Sequence, residues 1–213
     1  EELMPEIDII IGNKDKNKIV DLINEFFKNK KKINDLDNNF DDYFEDMFID
    51  TFNTRTRAFV KIQDGCENFC SYCIIPKVRG KCRSKDPKKA IEEITSLVNN
   101  GYKEIILTGI HTGNYGVDIN TNLAALLKEI VKIDGLKRLR ISSIEATEIN
   151  DEILDIIKNN PVIVNHFHIP IQSGSDKVLK LMNRKYDTTK FKEIIKKIRE
   201  IIPDVSITTD IIT

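Results

Sequence analysis

The sequence predicts an α/β fold: a partial parallel (β/α) barrel, preceded by the tail of a second, truncated α/β unit. Three observations predict it. From residue 58 onward, short apolar runs alternate five times with stretches of helical period. The connections between the runs are long enough for parallel crossovers. Polar or glycine-bearing segments follow the apolar runs: the loop from Gly65, Thr108-Gly109, Ser142-Ser143 with Glu145, and Gln172-Ser173. Ligands of parallel α/β folds sit at the carboxyl ends of strands, so these segments should meet on one rim.

The elements follow in order. Residues 6–11 read as a buried strand ending at Gly12, and 15–28 as an amphipathic helix with Ile19, Leu22, Ile23 and Phe26 on one face. One strand and one helix cannot bury themselves, so residues 1–30 are expected to finish a domain that begins elsewhere. Residues 31–54 are expected as a linker. They are acidic, with Phe40, Tyr43, Phe44, Phe48 and Phe52 set among Asp35, Asp37, Asp41, Asp42, Glu45, Asp46 and Asp50, and the aromatics are expected to dock on a neighbour.

Residues 55–213 are expected as the main domain. A strand over 58–62 leads into the loop at Gly65. Asp86-Pro87 is an N-cap with proline in the first turn, and Ala90, Ile91, Ile94, Leu97 and Val98 form the buried stripe of the helix that Gly101 ends. Strands are predicted over 104–107, 136–141, 166–171 and 205–213. Helices are predicted over 122–132, 153–157, 175–183 and 188–201.

Length and composition narrow the class. The chain has 213 residues, 40% hydrophobic and 31% charged, which suits one soluble domain or a domain plus a fragment. Formal net charge is -1, so no global basic field points to nucleic acid. No apolar run approaches the roughly 20 residues that span a bilayer. Free cysteines suit a reducing cytoplasm, and both ends read as cut from something longer.

Gly65-Cys66-Glu67-Asn68-Phe69-Cys70-Ser71-Tyr72-Cys73 carries the chemistry. Three thiols in one short loop can hold an iron–sulfur cube and leave one iron open. They can also hold zinc, with Cys82 as the fourth ligand of a binding module. Spacing leaves both readings open. Seven cations follow between Lys77 and Lys89, against the single anion Asp86. Arg79 and Arg83 among them are candidates for phosphate or carboxylate contacts. His111, His166 and His168 read as neutral structural histidines.

The Cys-x3-Cys-x2-Cys loop resembles the signature of the radical S-adenosylmethionine superfamily. Its flanks, from Ile62-Gln63-Asp64-Gly65 to Ile74-Ile75-Pro76 with Arg79-Gly80 and Arg83-Ser84, are similar to the methylthiotransferases of that superfamily. So are the segments 168–176 and 182–186, His-Ile-Pro-Ile-Gln-Ser-Gly-Ser-Asp and Met-Asn-Arg-Lys-Tyr. Leu-Thr-Gly-Ile-His at 107–111 and Arg-Ile-Ser-Ser-Ile-Glu at 140–145 look most like the branch acting on threonylcarbamoyladenosine in tRNA. The resemblance covers about residues 5–213.

The resemblance implies a barrel of the radical S-adenosylmethionine type, with Cys66, Cys70 and Cys73 ligating a 4Fe–4S cluster. The open iron would chelate the amino and carboxylate groups of S-adenosylmethionine. Tyr72 would lie near the adenine, Thr108 and Gly109 near the methionyl amino group, and Glu145, Gln172 and Ser173 near the ribose or methionyl part. One electron would cleave the sulfonium to a deoxyadenosyl radical. The product would be a methylthio group on the adenine carbon between the two ring nitrogens. A second, auxiliary 4Fe–4S cluster would belong to the full-length protein only, so this chain is expected to cleave S-adenosylmethionine without completing thiolation. Implied partners are tRNA and an electron donor such as a flavodoxin or ferredoxin, with a monomer in the cytoplasm. Another tRNA adenosine, or a ribosomal protein, is the alternative substrate within the family.

Overall fold

The computed structural model describes residues 5–13, 16–36, 43–51 and 56–212. Phe40, Phe52, Asp37, Asp41 and Asp42 of the expected linker lie outside the described residues.

The amino-terminal part is a small βαβ unit. β1 (Ile9–Ile11) pairs in parallel with β2 (Ile33–Asp35) across α1 (Ile19–Asn29). Lys30 closes α1 at φ 53, donating its N–H to the Phe26 carbonyl. The sequence reading gave no strand at 33–35, because three residues carrying Asn and Asp show no apolar period. Nor does α1 bury the face that its period suggested. None of its residues is buried, and Ile19, Ile23 and Phe27 stand exposed.

Residues 43–51 form neither helix nor strand, and they dock differently from expectation. Carboxylates and backbone make the contacts, while Tyr43 and Phe48 are 53% and 56% exposed. Asp46 reaches Lys85 and Lys89, each at 2.8 Å. The Ile49 N–H donates to Glu93 Oε1 at 3.3 Å, and Asn100 Nδ2 donates to the Asp50 carbonyl at 2.9 Å. Among the described aromatics, Phe44 meets the expectation in part, with its ring 5.0 Å from Lys61 Nζ.

The remainder is a curled sheet with helices on its outer face. β3 (Arg57–Asp64), β5 (Glu104–Gly109) and β6 (Arg138–Ile141) are parallel neighbours, and β7 (His166–His168) pairs in parallel with β8 (Ser206–Thr208). Parallel bridges Leu139–Ile163 and Ser143–His168 join the two groups into one partial barrel. β4 (Arg83–Ser84) adds an unexpected antiparallel edge to β3. β7 is shorter than predicted for a physical reason. Pro170 has no N–H to donate, so Thr209 Oγ1 substitutes, donating to the Ile169 carbonyl and accepting from the Ile171 N–H.

After the short α2 (Ile75–Val78), four of the helices begin where a side chain caps them. Asp86 accepts from the N–H groups of Lys88 and Lys89 at the head of α3 (Pro87–Asn99). Asn122, Asn150 and Asp187 do the same for α4 (Leu123–Ile130), α5 (Asp151–Asn159) and α7 (Thr188–Ile201). Ala90, Ile94, Leu97 and Val98 of α3 pack with Ala58, Val60 and Ile62 of β3 in the core. Burying one such leucine or isoleucine contributes about 1.5–3 kcal/mol. This layer makes the strands rigid, so the loops at their carboxyl ends start from fixed points.

Candidate functional site

The cysteine loop leaves β3 through Asp64 and Gly65. Asp64 is buried among cations. Lys61 lies 2.7 Å, Arg79 3.0 Å and Arg83 3.8 Å from its oxygens, and the Gly65 N–H donates to it. Burial alone would raise its pKa, but Lys61, the Gly65 N–H and Arg79 hold it down at about 2. Gly65 adopts φ 76, and a Cβ there would lie 1.8 Å from the Lys81 carbonyl oxygen. That close approach lets the Cys66 N–H donate to Gly80 at 3.1 Å and brings the cationic segment back beside the loop.

A second segment, distant in sequence, clasps the loop. After α6 (Asp176–Leu181), Asn183 sits at φ 59 and donates from Nδ2 to the carbonyls of Asn68 (3.3 Å) and Phe69 (2.9 Å). The Ser71 N–H donates to Met182 at 3.2 Å. Arg184 then places Nη1 3.3 Å from Cys70 Sγ and pairs Nη2 with Glu145. The Arg184 charge is held firmly, because Glu145 and the Tyr186 oxygen outweigh the penalty of burial.

The neighbouring thiol has a parallel arrangement. His111 Nδ1 lies 3.7 Å from Cys66 Sγ, and His111 Nε2 pairs with Glu148. Burial disfavours the imidazolium, but the thiols of Cys66 and Cys82 and the Glu148 carboxylate push its pKa up to about 12. The Glu148 carboxylate thus favours the protonated ring, where the sequence suggested a neutral one. Burial raises the Cys66 pKa, but the hydrogen bond from His111 leads the groups that bring it below the ordinary thiol value. Glu145 and Glu148 flank one 3-10 turn after β6 and cap it reciprocally. One turn thus supplies the counter-ions of both cations.

Between these groups lies a cavity of about 270 Å³, lined by Cys70, His111, Glu145, Glu148, Asn183 and Arg184 among others. Of the residues singled out in the sequence for ligand contacts, the structure brings Cys70 and Glu145 to this cavity. Tyr72 is 49% exposed and lines a separate depression with Phe69, Cys70 and Cys73. Thr108 donates to the Val60 carbonyl at 3.4 Å, and Gly109 packs on Gln63. Gln172 adopts φ 66 and Ser173 Oγ accepts from the Ser175 N–H at 3.3 Å, and neither lines the cavity. Arg79 and Arg83 meet a carboxylate as expected, but it is the chain's own Asp64. His166 and His168 are hydrogen-bonded to Thr208, and His168 Nε2 also lies 3.2 Å from Asp210.

Sequence reasoning missed the roles of Asn183, Arg184 and Glu148. The run Met182 to Tyr186 carries a family resemblance and no separate chemical signal of its own. An asparagine just past a helix end was the available signal, since asparagine tolerates φ near +60°.

The donor set has a definite chemistry. None of the four cysteines is in a disulfide, and Cys66, Cys70 and Cys73 are half-buried. Among the described residues, no three His, Cys, Asp or Glu side chains are arranged to share one metal ion. Cys82 is buried, with its Sγ 4.0 Å from the Gly65 carbonyl and 3.8 Å from Asn114 Nδ2, while the three loop thiols are half-buried. A cube takes its thiolates one per iron, so they stand apart around one face, and N–H groups on the sulfurs tune it. Thiols on one loop, with Arg184 and His111 aimed at two of their sulfurs, suit that group.

Residues 60–213 match the profile of the radical SAM superfamily. The chain is 45% identical over 212 residues to the threonylcarbamoyladenosine tRNA methylthiotransferase MtaB of Bacillus subtilis, covering 98% of this chain and 47% of the relative. It is 44% identical to the Thermotoga maritima protein of the same name, over 97% of this chain and 47% of the relative. A tRNA-2-methylthio-N(6)-dimethylallyladenosine synthase of Clostridium botulinum is 39% identical over 98% of this chain and 46% of the relative. The chain spans about half the length of these curated relatives. Among solved structures, the radical S-adenosylmethionine methyltransferase TsrM of Kitasatospora setae aligns with a TM-score of 0.56 at 17% identity, over 72% of this chain and 30% of that one. The cobalamin-dependent S-adenosylmethionine radical enzyme OxsB aligns at 0.58 and 12%, over 72% and 23%. These two likenesses concern the fold alone.

Proposed function

We propose a function from one premise: this chain belongs to the radical SAM superfamily. Cys66, Cys70 and Cys73 hold a 4Fe–4S cluster, S-adenosylmethionine binds beside it, and the chain serves methylthiolation of threonylcarbamoyladenosine in tRNA. The observation that carries the reading is the placement of three unpaired thiols on one loop, at the carboxyl end of β3, with Cys70 lining a polar cavity. The substrate follows two of the relatives described above, both named for threonylcarbamoyladenosine.

Cys66, Cys70 and Cys73 would hold the cluster, which would supply one-electron reducing chemistry to S-adenosylmethionine. The residues do the rest. Asn183 and the Met182 carbonyl hold the loop, Arg184 donates to Cys70 Sγ, and the His111 ring lies beside Cys66 Sγ. Glu145 and Glu148 offer carboxylate oxygens to the ammonium of a zwitterionic ligand. Gln63, fully buried, accepts from the His111 N–H at 2.6 Å and shapes the rim around Thr108 and Gly109. Tyr72 stands beside Cys73 for contact with an adenine, and Gln172 and Ser173 stand for contacts with the ribose or methionyl part.

Residues 1–30 belong in this reading to an amino-terminal methylthiotransferase domain, 31–54 to a linker and 55–213 to the radical core. The pairing of β1 with β2 supports carrying the first unit to residue 35. Partners in this reading are tRNA and a flavodoxin- or ferredoxin-type electron donor, acting on a monomer in the cytoplasm. No helix among the described residues is long and apolar enough to cross a membrane. Arg79 and Arg83 contact RNA only if they give up Asp64.

The test is anaerobic incubation of the iron- and sulfide-loaded chain with dithionite and S-adenosylmethionine. Release of 5′-deoxyadenosine, lost in Cys70→Ser and kept in Cys82→Ala, is expected. Release that survives Cys70→Ser, or a metal content lost with Cys82→Ala, would overturn the three-cysteine assignment.

A further inference from the structure

We propose that Arg184 is a positioning residue that ties the cysteine loop to Glu145 and sets the reduction potential of the group held by Cys70. The proposal rests on the cluster reading given above. The side chain of Arg184 is 4% exposed. Its two terminal nitrogens serve two different partners: Nη1 donates to Cys70 Sγ at 3.3 Å, and Nη2 pairs with Glu145. Nη2 also donates to the Tyr186 oxygen at 3.1 Å.

Tyr186 fixes the guanidinium in place. Its hydroxyl lies 2.9 Å from the Pro170 carbonyl and 3.1 Å from that of Ile171, so the segment that follows β7 holds it. Its ring centroid stands 5.1 Å from the guanidinium carbon. The fork is therefore anchored on three sides, and its planar geometry is set before any cluster binds.

The charge on arginine is permanent. A buried cation whose N–H points at a cluster sulfur stabilises the added electron, and so raises the reduction potential. Glu145 works in the opposite sense, because its negative charge offsets part of that field. A cationic ligand group that engages Glu145 leaves more of the Arg184 charge to the sulfur. The same pair thus links occupation of the cavity to the electron affinity of the cluster.

Two opposite shifts follow. Arg184→Gln removes the charge and lowers the potential. Glu145→Gln keeps the side-chain shape, removes the offsetting charge and raises it. A purely structural role for either residue does not produce shifts of opposite sign.

The experiment reconstitutes the full chain anaerobically with iron and sulfide as wild type, R184K, R184Q and E145Q. Iron per chain is counted, and the midpoint is read by EPR-monitored titration without S-adenosylmethionine. The expected result is about a tenfold lower reduction equilibrium constant in R184Q, or ~59 mV for a one-electron couple. R184K shifts less in the same direction, and E145Q shifts to higher potential. Equal midpoints in variants that load equally would overturn the proposal. Should R184Q load poorly, an unshifted midpoint in E145Q, which keeps the guanidinium, overturns it. A wild type that takes no iron instead refutes the cluster reading and carries the proposal away with it, an outcome distinct from a loaded wild type with unshifted variants.

Discussion

Asn183 Nδ2 lies 2.9 Å from the carbonyl oxygen of Phe69, across 114 residues of chain. Both residues are in the left-handed region, Asn183 at φ 59 and Phe69 at φ 49. The bond joins two residues in a backbone region that L side chains rarely adopt. Asn183→Ala removes this bond and the one to Asn68, and puts alanine where asparagine is tolerated better. The expected cost is about 1–2 kcal/mol from the hydrogen bonds. A lower melting temperature and reduced iron uptake in reconstitution would register it. Unchanged uptake would mean that the loop holds its shape without the clasp.

Gly65 is the other conformational constraint on the loop. At φ 76 an alanine costs about 1–2 kcal/mol before any contact is considered. The contact is worse, since the Cβ would meet the backbone oxygen of Lys81, which no side-chain rotation relieves. Gly65→Ala is expected to destabilise the chain and to abolish iron loading, measured by denaturant unfolding and metal analysis.

The ion pair of Lys85 with Glu93 is buried, with side chains 1% and 3% exposed. Removing one partner leaves a charge without compensation, at a cost of about 3–5 kcal/mol. Lys85→Met alone should fall in that range by urea unfolding. The double variant Lys85→Met, Glu93→Leu should recover most of it, because the desolvation penalty goes with both charges. It should also release residues 43–51, which lean on both side chains, and hydrogen exchange of that segment would report this.

Asp46 gives the same segment a pH dependence. Burial raises its pKa, but Lys85 and Lys89 prevail and hold it below the ordinary value of 3.8. A carboxylate with a depressed folded pKa contributes stability above its unfolded pKa and loses it as pH falls through the folded one. The stability advantage of wild type over Asp46→Asn should therefore be present at pH 7, at under about 1 kcal/mol for a partly exposed pair. It should fall away as pH drops below 3.8 and be gone once pH lies below the depressed folded pKa. Thermal melts of both proteins across that range measure the gap.

The legible parts of this chain were local. Asp86-Pro87 announces a helix start because the cap and its acceptors lie within three residues. The thiol loop is legible because its ligands are crowded together in sequence. Arg184 and Asn183 were hidden as parts of the site because they reach the loop through folding alone. β2 was hidden because three residues with Asn and Asp carry no alternation. The exposed rings of Tyr43 and Phe48 show the limit of composition: aromatics among acids suggested docking, yet the acids do most of it, on lysines that sequence could not place beside them.

Anaerobic reconstitution with iron and sulfide, followed by metal analysis and EPR of the reduced protein, tests the central claim most directly. The account predicts about four irons per chain and a spectrum that changes when S-adenosylmethionine is added, as an open iron requires. One zinc, no iron and no response to S-adenosylmethionine would contradict it.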